Sequence, residues 1–201
     1  MYTRLVHRGL SQAEVEVLFN LLNERFEVIE EMRRDEQQEE EEGIENWDDD
    51  VGNLAGMEKD DNDSSSSKKK KSMILISMLS IDLPIQYDMN FVKNIGFERW
   101  EVLKEIIKNI KWRRGRVRLA FRLRFLGSPT IVFSIVHGNS KVFNKAIEGI
   151  EYVVDTVLFR SLPDAEEVRF VFSSEEMRWY PRSAYLDGKE YRYVEGVWSI
   201  T

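Results

Sequence analysis

The sequence predicts an α+β fold: a two-layer βαββαβ, ferredoxin-like sheet with an extra N-terminal helix and a C-terminal β-hairpin, interrupted by a disordered acidic loop. Three observations predict it. Strand and helix periodicities alternate in the order β-α-β-β-α-β from residue 72 to 173. An amphipathic helical pattern precedes them. Between the two lies a highly charged stretch with little to bury. The division that follows is residues 1–34, a strand and helix docking on the main domain; 35–71, a linker; and 72–201, the α/β domain with its aromatic hairpin.

Residues 2–8, YTRLVHR, read as a short strand. Ser11 and Glu14 then have the spacing of a capping box. Val15, Leu18, Leu22, Phe26 and Ile29 follow at helical intervals and predict a helix from 12 to about 33. Residues 35–67 carry 14 acidic groups and one basic group, and Lys68 to Lys71 follow. Such a segment cannot bury enough apolar surface to offset its ordering entropy, so it reads as disordered. The net charge of −7 belongs to it, because residues 72–201 carry 19 basic and 16 acidic groups.

After the loop, residues 72–82 predict a buried strand. Residues 97–110 predict a helix with Trp100, Leu103, Ile107 and Ile110 on one face. Residues 116–125, RVRLAFRLRF, alternate except at Ala120, the signature of a strand with one buried and one exposed face. Residues 130–137 return as the second arm of a hairpin. Residues 140–159 predict a helix through Phe143, Ala146, Ile147, Ile150, Val154 and Leu158, and 166–173 a further strand. Asp187-Gly188 suits the tight turn of a closing hairpin.

The alternating strand carries the functional expectation. Val117, Leu119, Phe121, Leu123 and Phe125 would face the helices. Arg116, Arg118, Arg122 and Arg124 would face solvent, with Arg113 and Arg114 at the strand entrance. Successive arginines on one face lie about 6.6 Å apart. Guanidinium groups at that spacing suit a polyanion, since each binds phosphate in a forked geometry and stacks on bases. No Asp or Glu occurs between Glu105 and Glu148 to neutralise them locally. The plainer account is a guarded edge strand, which this topology expects at that position, or arginines paired with carboxylates on neighbouring strands.

Six of the 23 residues from 179 to 201 are aromatic, against 11% of the chain, and arginines are interleaved with them. Trp179, Tyr191 and Tyr193 are the candidates for stacking on bases. Anchoring of a small hairpin explains such residues equally well.

Catalytic chemistry finds little footing. The chain has no cysteine, which removes disulfides and thiolate chemistry and fits the reducing cytoplasm, or the nucleus of a eukaryotic cell. His7 and His137 are the two histidines. Asp82 and Asp88 read as turn residues, and His137 with Asp82 is a candidate active site only if the fold brings them together. Gly138-Asn139-Ser140 reads as a helix cap, and no phosphate-loop, dinucleotide or metal motif is present, so no cofactor or metal is expected. The longest apolar run, 73–85, is too short to span a bilayer and contains Asp82, so the chain reads as soluble with no membrane partner.

The expectation is a non-enzymatic nucleic-acid-binding module, for single-stranded RNA or DNA, acting through an arginine-lined sheet face. The alternative is an assembly subunit whose arginine face docks an acidic protein. The acidic loop would bind a basic partner or compete for the arginines.

Overall fold

The computed structural model describes residues 2–33, 77–115, 117–155 and 164–201. The acidic linker, 35–71, lies outside them. Strand β1 (Tyr2–Arg8) leads to helix α1 (Gln12–Asn23) through the capping box anticipated from sequence. Ser11 Oγ accepts from the Glu14 amide, and the Glu14 carboxylate accepts from the Ser11 amide at 2.9 Å. Helix α1 buries Val15, Leu18 and Leu22. It stops well short of the expected end, because Glu27–Met32 forms strand β2, parallel to β1. Phe26 and Ile29 continue the helical spacing, yet β-branched Val28 and Ile29 gain a strand partner in β1.

The second unit is β3 (Ser77–Leu83), α2 (Phe91–Ile95), α3 (Phe97–Arg113) and β4 (Leu119–Phe125). The third is β5 (Thr130–His137), α4 (Ser140–Gly149), a 3-10 turn (Ile150–Asp155) and β6 (Glu167–Ser173). The single long helix expected over 140–159 is therefore divided, and its last residues lie outside the described set. The chain closes as a meander of β7 (Arg178–Leu186), β8 (Lys189–Val194) and β9 (Val197–Ile200). Asp187 and Gly188 make the β7–β8 turn, both with positive φ, 51° and 71°, as a two-residue primed turn requires.

The ferredoxin-like expectation is overturned. Among the described residues nine strands form one mixed sheet in the order β2-β1-β3-β4-β5-β6-β7-β8-β9. In a ferredoxin-like motif the third strand inserts between the first two, so each crossover skips a strand. Here β3/β4 and β5/β6 are adjacent parallel pairs joined by the antiparallel β4–β5 hairpin. Both crossovers step the same way from strands of opposite direction, with their helices on one face. The two units consequently have opposite hands, one of them the uncommon left hand. The N-terminal segment also adds two strands of its own. Strand β4 is thus interior, hydrogen-bonded on both sides, and the expected edge-guarding role has no edge to guard.

The described helices all pack on one face over a continuous core that includes Leu79, Ile81, Phe121, Phe125, Phe133, Phe143, Phe170 and Trp100. Tyr87 plugs the layer against Phe91, Phe125 and Phe133, with ring centroids at 4.8, 4.9 and 5.1 Å. Each such buried side chain stabilises the fold by about 1.5–3 kcal/mol. Val6, Ala120 and Val132 are also buried but stand outside that core. Their register places them on the opposite face of the sheet, where no helix lies among the described residues.

Candidate nucleic-acid interface

Register builds this open face from the strands upward. Residues directly opposite on paired strands point the same way. One row therefore crosses the sheet from Arg4 through Asp82, Arg124, Val132, Arg169, Ser183 and Arg192 to Ser199. An arginine stands on β1, β4, β6 and β8, and from β4 onward on every second strand, so those Cα atoms recur at roughly 10 Å, twice the strand spacing. The neighbouring row runs Glu31, Val6, Ser80, Arg122, Ser134, Val171 and Tyr180.

Carboxylates are threaded through the arginines. Arg4 grips Glu31 with two hydrogen bonds, 2.7 and 2.6 Å. Arg124 donates to Asp82 at 3.1 Å and to Glu167 at 3.4 Å. Arg169 donates to Glu167 at 2.6 Å and to the Tyr185 hydroxyl at 3.1 Å, with its guanidinium 4.5 Å from the Tyr185 ring centre. Arg122 lies at the centre. Burial, with the like charges of Arg169 and Arg124, pulls it down to about 10. Burial also raises Asp82, against the pull of Arg124 and Arg4. Arg118, just ahead of β4, and Arg192 make no side-chain hydrogen bond or ion pair among the described residues.

The residues singled out from sequence divide into three groups. Arg122 and Arg124 belong to the open face, and Arg118 stands just ahead of β4, outside its register. Arg113 is exposed on the last turn of α3, and Arg116 lies outside the described residues. Arg114 is a staple: it donates to both oxygens of Glu14 at 2.9 Å, to the Ile110 carbonyl at 2.8 Å and to the Gly9 carbonyl at 3.0 Å. It ties the end of α3 to the start of α1. Val117, expected inward, is 42% exposed because β4 begins only at Leu119.

The predicted aromatics are not brought to the arginines. Trp179 is 8% exposed, packs against Phe133 and Phe172, and donates its indole N–H to the Ala146 carbonyl at 2.9 Å. Tyr191 pairs with Ala184 and Tyr193 with Trp198, on the helix-bearing face. Among the described residues the aromatics that reach the open face are Tyr2, Tyr180 and Tyr185. A register shift in the β6–β7 pairing beside Arg169 and Phe170 turns Tyr185 outward although Trp179, six residues earlier, points in.

His137 and Asp82 do not share a site. Asp82 is on the open face and His137 on the other. By register they stand five residues apart along the strands, roughly 16 Å. His137 Nδ1 instead accepts the Asn139 amide at 2.9 Å, and Asn139 caps α4 through the Lys141 amide at 2.8 Å. Among the described residues no group of three or more His, Asp or Glu side chains is placed to hold a metal ion. No helix among them is long and apolar enough to cross a membrane.

Comparison with known proteins returns no match, whether against family models, curated proteins or solved structures.

Proposed function

We propose that the open face binds nucleic acid, with single strands preferred over duplex, and that the protein is a binding module. The observation that carries this reading is the arginine row, Arg4, Arg124, Arg169 and Arg192, with Arg122 beside it, on a sheet face that no described helix covers. Guanidiniums supply forked phosphate contacts. Tyr2, Tyr180 and Tyr185 supply π-faces at its margins, the combination that single-strand platforms use. A two-layer sheet open on one side leaves room for splayed bases that a duplex does not offer. On this reading the protein acts in the cytoplasm or nucleus, where such strands are found.

The carboxylates within the row favour a second reading, an assembly subunit that docks an acidic protein surface with Asp82 and Glu167 setting register. A complex that survives nuclease treatment would select it.

The test is equilibrium binding of labelled single-stranded RNA, single-stranded DNA and duplex across a salt series. Arg118→Glu with Arg192→Glu reverses two charges that support no internal contact among the described residues, so the fold should persist. The log–log salt slope should fall by about 1.4, two contacts at roughly 0.7 each. Absence of binding by the intact chain at low salt overturns the proposal.

A further inference from the structure

The sheet ends on two edge strands of different chemistry, β2 and β9. An edge presents backbone N–H and C=O groups to any further strand unless charge, proline or a bulge guards it. Strand β2 is guarded: Glu27, Glu30 and Glu31 are three of its six residues. A second copy laid along it would bring carboxylates together. Strand β9, Val197-Trp198-Ser199-Ile200, has no charged side chain and no proline, and its pairing with β8 runs without a bulge. Among the described residues no strand pairs with its outer side.

The ladder to β8 fixes which groups β9 holds outward. The Thr201 amide donates inward to the Glu190 carbonyl at 3.1 Å. Hydrogen-bonded and non-hydrogen-bonded pairs alternate along an antiparallel ladder. Val197 and Ser199, in step with Thr201, therefore bond inward to Val194 and Arg192, while Trp198 and Ile200 turn their N–H and C=O groups out.

That outward set is complementary to itself. A two-fold axis through Ser199 places Trp198 of one chain opposite Ile200 of the other, so every outward N–H meets an outward C=O. An axis through Trp198 or Ile200 instead would engage the groups of only that residue. The side chains agree with the first choice. Trp198 and Ile200 share the helix-bearing face, where Trp198 is half-buried against Tyr193 and Ile200 is 62% exposed. The axis seats each Ile200 beside the Trp198 of the other chain, an aromatic–β-branched cross-strand pair. On the open face, Val197, 65% exposed, meets Thr201 of the other chain.

We infer that β9 pairs with β9 of a second copy of this chain, antiparallel about Ser199, to make one sheet continuous through both. The two-fold keeps like faces together. The row that ends Ser183, Arg192, Ser199 thus runs on into Ser199, Arg192, Ser183 of the second copy, and two open faces become one. The pairing does not depend on what that face binds. A contact this short falls below the roughly 1,200 Å² of a stable interface, so the dimer forms reversibly with concentration.

The experiment follows the mass of the full chain by analytical ultracentrifugation from about 1 to about 500 µM, the range in which such weak pairs assemble. The native mass should rise from one chain towards two. Exchange of the Trp198 and Ile200 amides should slow over the same range, because those are the donors the pairing covers. Ile200→Pro removes an outward N–H and leaves the ladder to β8 intact, and should weaken association about 10-fold or more. Ser199 is exposed, so Ser199→Lys leaves the fold in place; it sets like charges face to face on the axis and should weaken association about 5-fold. Mixing Ser199→Lys with Ser199→Glu should restore it, which a fold defect would not do. A mass of one chain at every concentration overturns the inference. So does a dimer that both variants leave at native strength, that mixing does not restore, or that forms without slowing the Trp198 and Ile200 amides, since it then uses another surface.

Discussion

Arginine at this molecule's scale of single residues has two occupations that the sequence writes identically. Arg114 and Arg122 both fall on the even positions of one alternating run. Arg114 sits beyond the helix end and clamps Glu14, while Arg122 lies on the sheet. The clamp has a measurable signature. Burial works against the Glu14 carboxylate, but hydrogen bonds from Arg114 and the Ser11 backbone outweigh it and hold the group down to about 2, from an ordinary 4.5. A carboxylate lowered by folding contributes stability above its unfolded value and loses it as pH falls towards its folded one. Glu14→Gln should therefore cost about 1–3 kcal/mol at pH 6 and almost nothing near pH 2. Denaturant melts of the two proteins at both values check this; a pH-independent difference would show that packing, not charge, is what Glu14 supplies.

Elements are held to one another by a second ionic group. Lys104 on α3 is buried and reaches Glu148 at 3.2 Å and Glu151 at 2.5 Å beyond α3, and Glu101 at 2.8 Å on its own helix. The Trp100 indole shares Glu151 at 2.5 Å. Burial disfavours the ammonium, yet these carboxylates raise Lys104 above its usual 10.5. A raised cation contributes fully below its unfolded value and loses its contribution as pH rises through the folded one, so the clasp is intact throughout neutral pH. Lys104→Met should destabilise by about 1–3 kcal/mol by removing the cation that Glu148 and Glu151 share. Chemical denaturation at pH 7 reads this, and an unchanged midpoint would contradict it. At this scale the sequence was largely legible. Capping box, helix faces, hairpin and turn all rest on local periodicity and local chemistry, and they recur in the structure. Two features were not. Phe26 and Ile29 satisfy the helical period of α1 while belonging to a strand approach and a strand, and only pairing with β1 decides between them. The register shift beside Arg169 sends Trp179 and Tyr185 to opposite faces, which a strict period of two cannot register.

Across the whole molecule, the sheet order decides which local features become a site. The βαββαβ succession is present as read, but succession does not fix adjacency. The chain adds each strand beside the last from β3 to β9 instead of inserting the third between the first two, and β1 and β2 extend the other flank. That order makes β4 interior and surrounds its arginines with Asp82 on β3 and Glu167 on β6. It also gives the open face Arg4, Arg169 and Arg192, which no single stretch of sequence gathers. The alternation at 167–173 and 189–194 marks Arg169 and Arg192 as outward, but their alignment with Arg124 depends on four strand pairings, from β4 to β8. Tyr191 and Tyr193 fall to the other face for the same reason. The site was therefore half legible: its chemistry was visible in residues 114–124, its membership was not.

The most direct measurement of the central claim is a chemical-shift footprint of a short single-stranded oligonucleotide on the isotope-labelled full chain. Binding across the open face moves the resonances of Ser80, Arg122, Val132, Ser134, Arg169 and Tyr185, and leaves those of Tyr191, Tyr193 and the α3 face in place. A footprint on the helix-bearing side, or none at low salt, would contradict it.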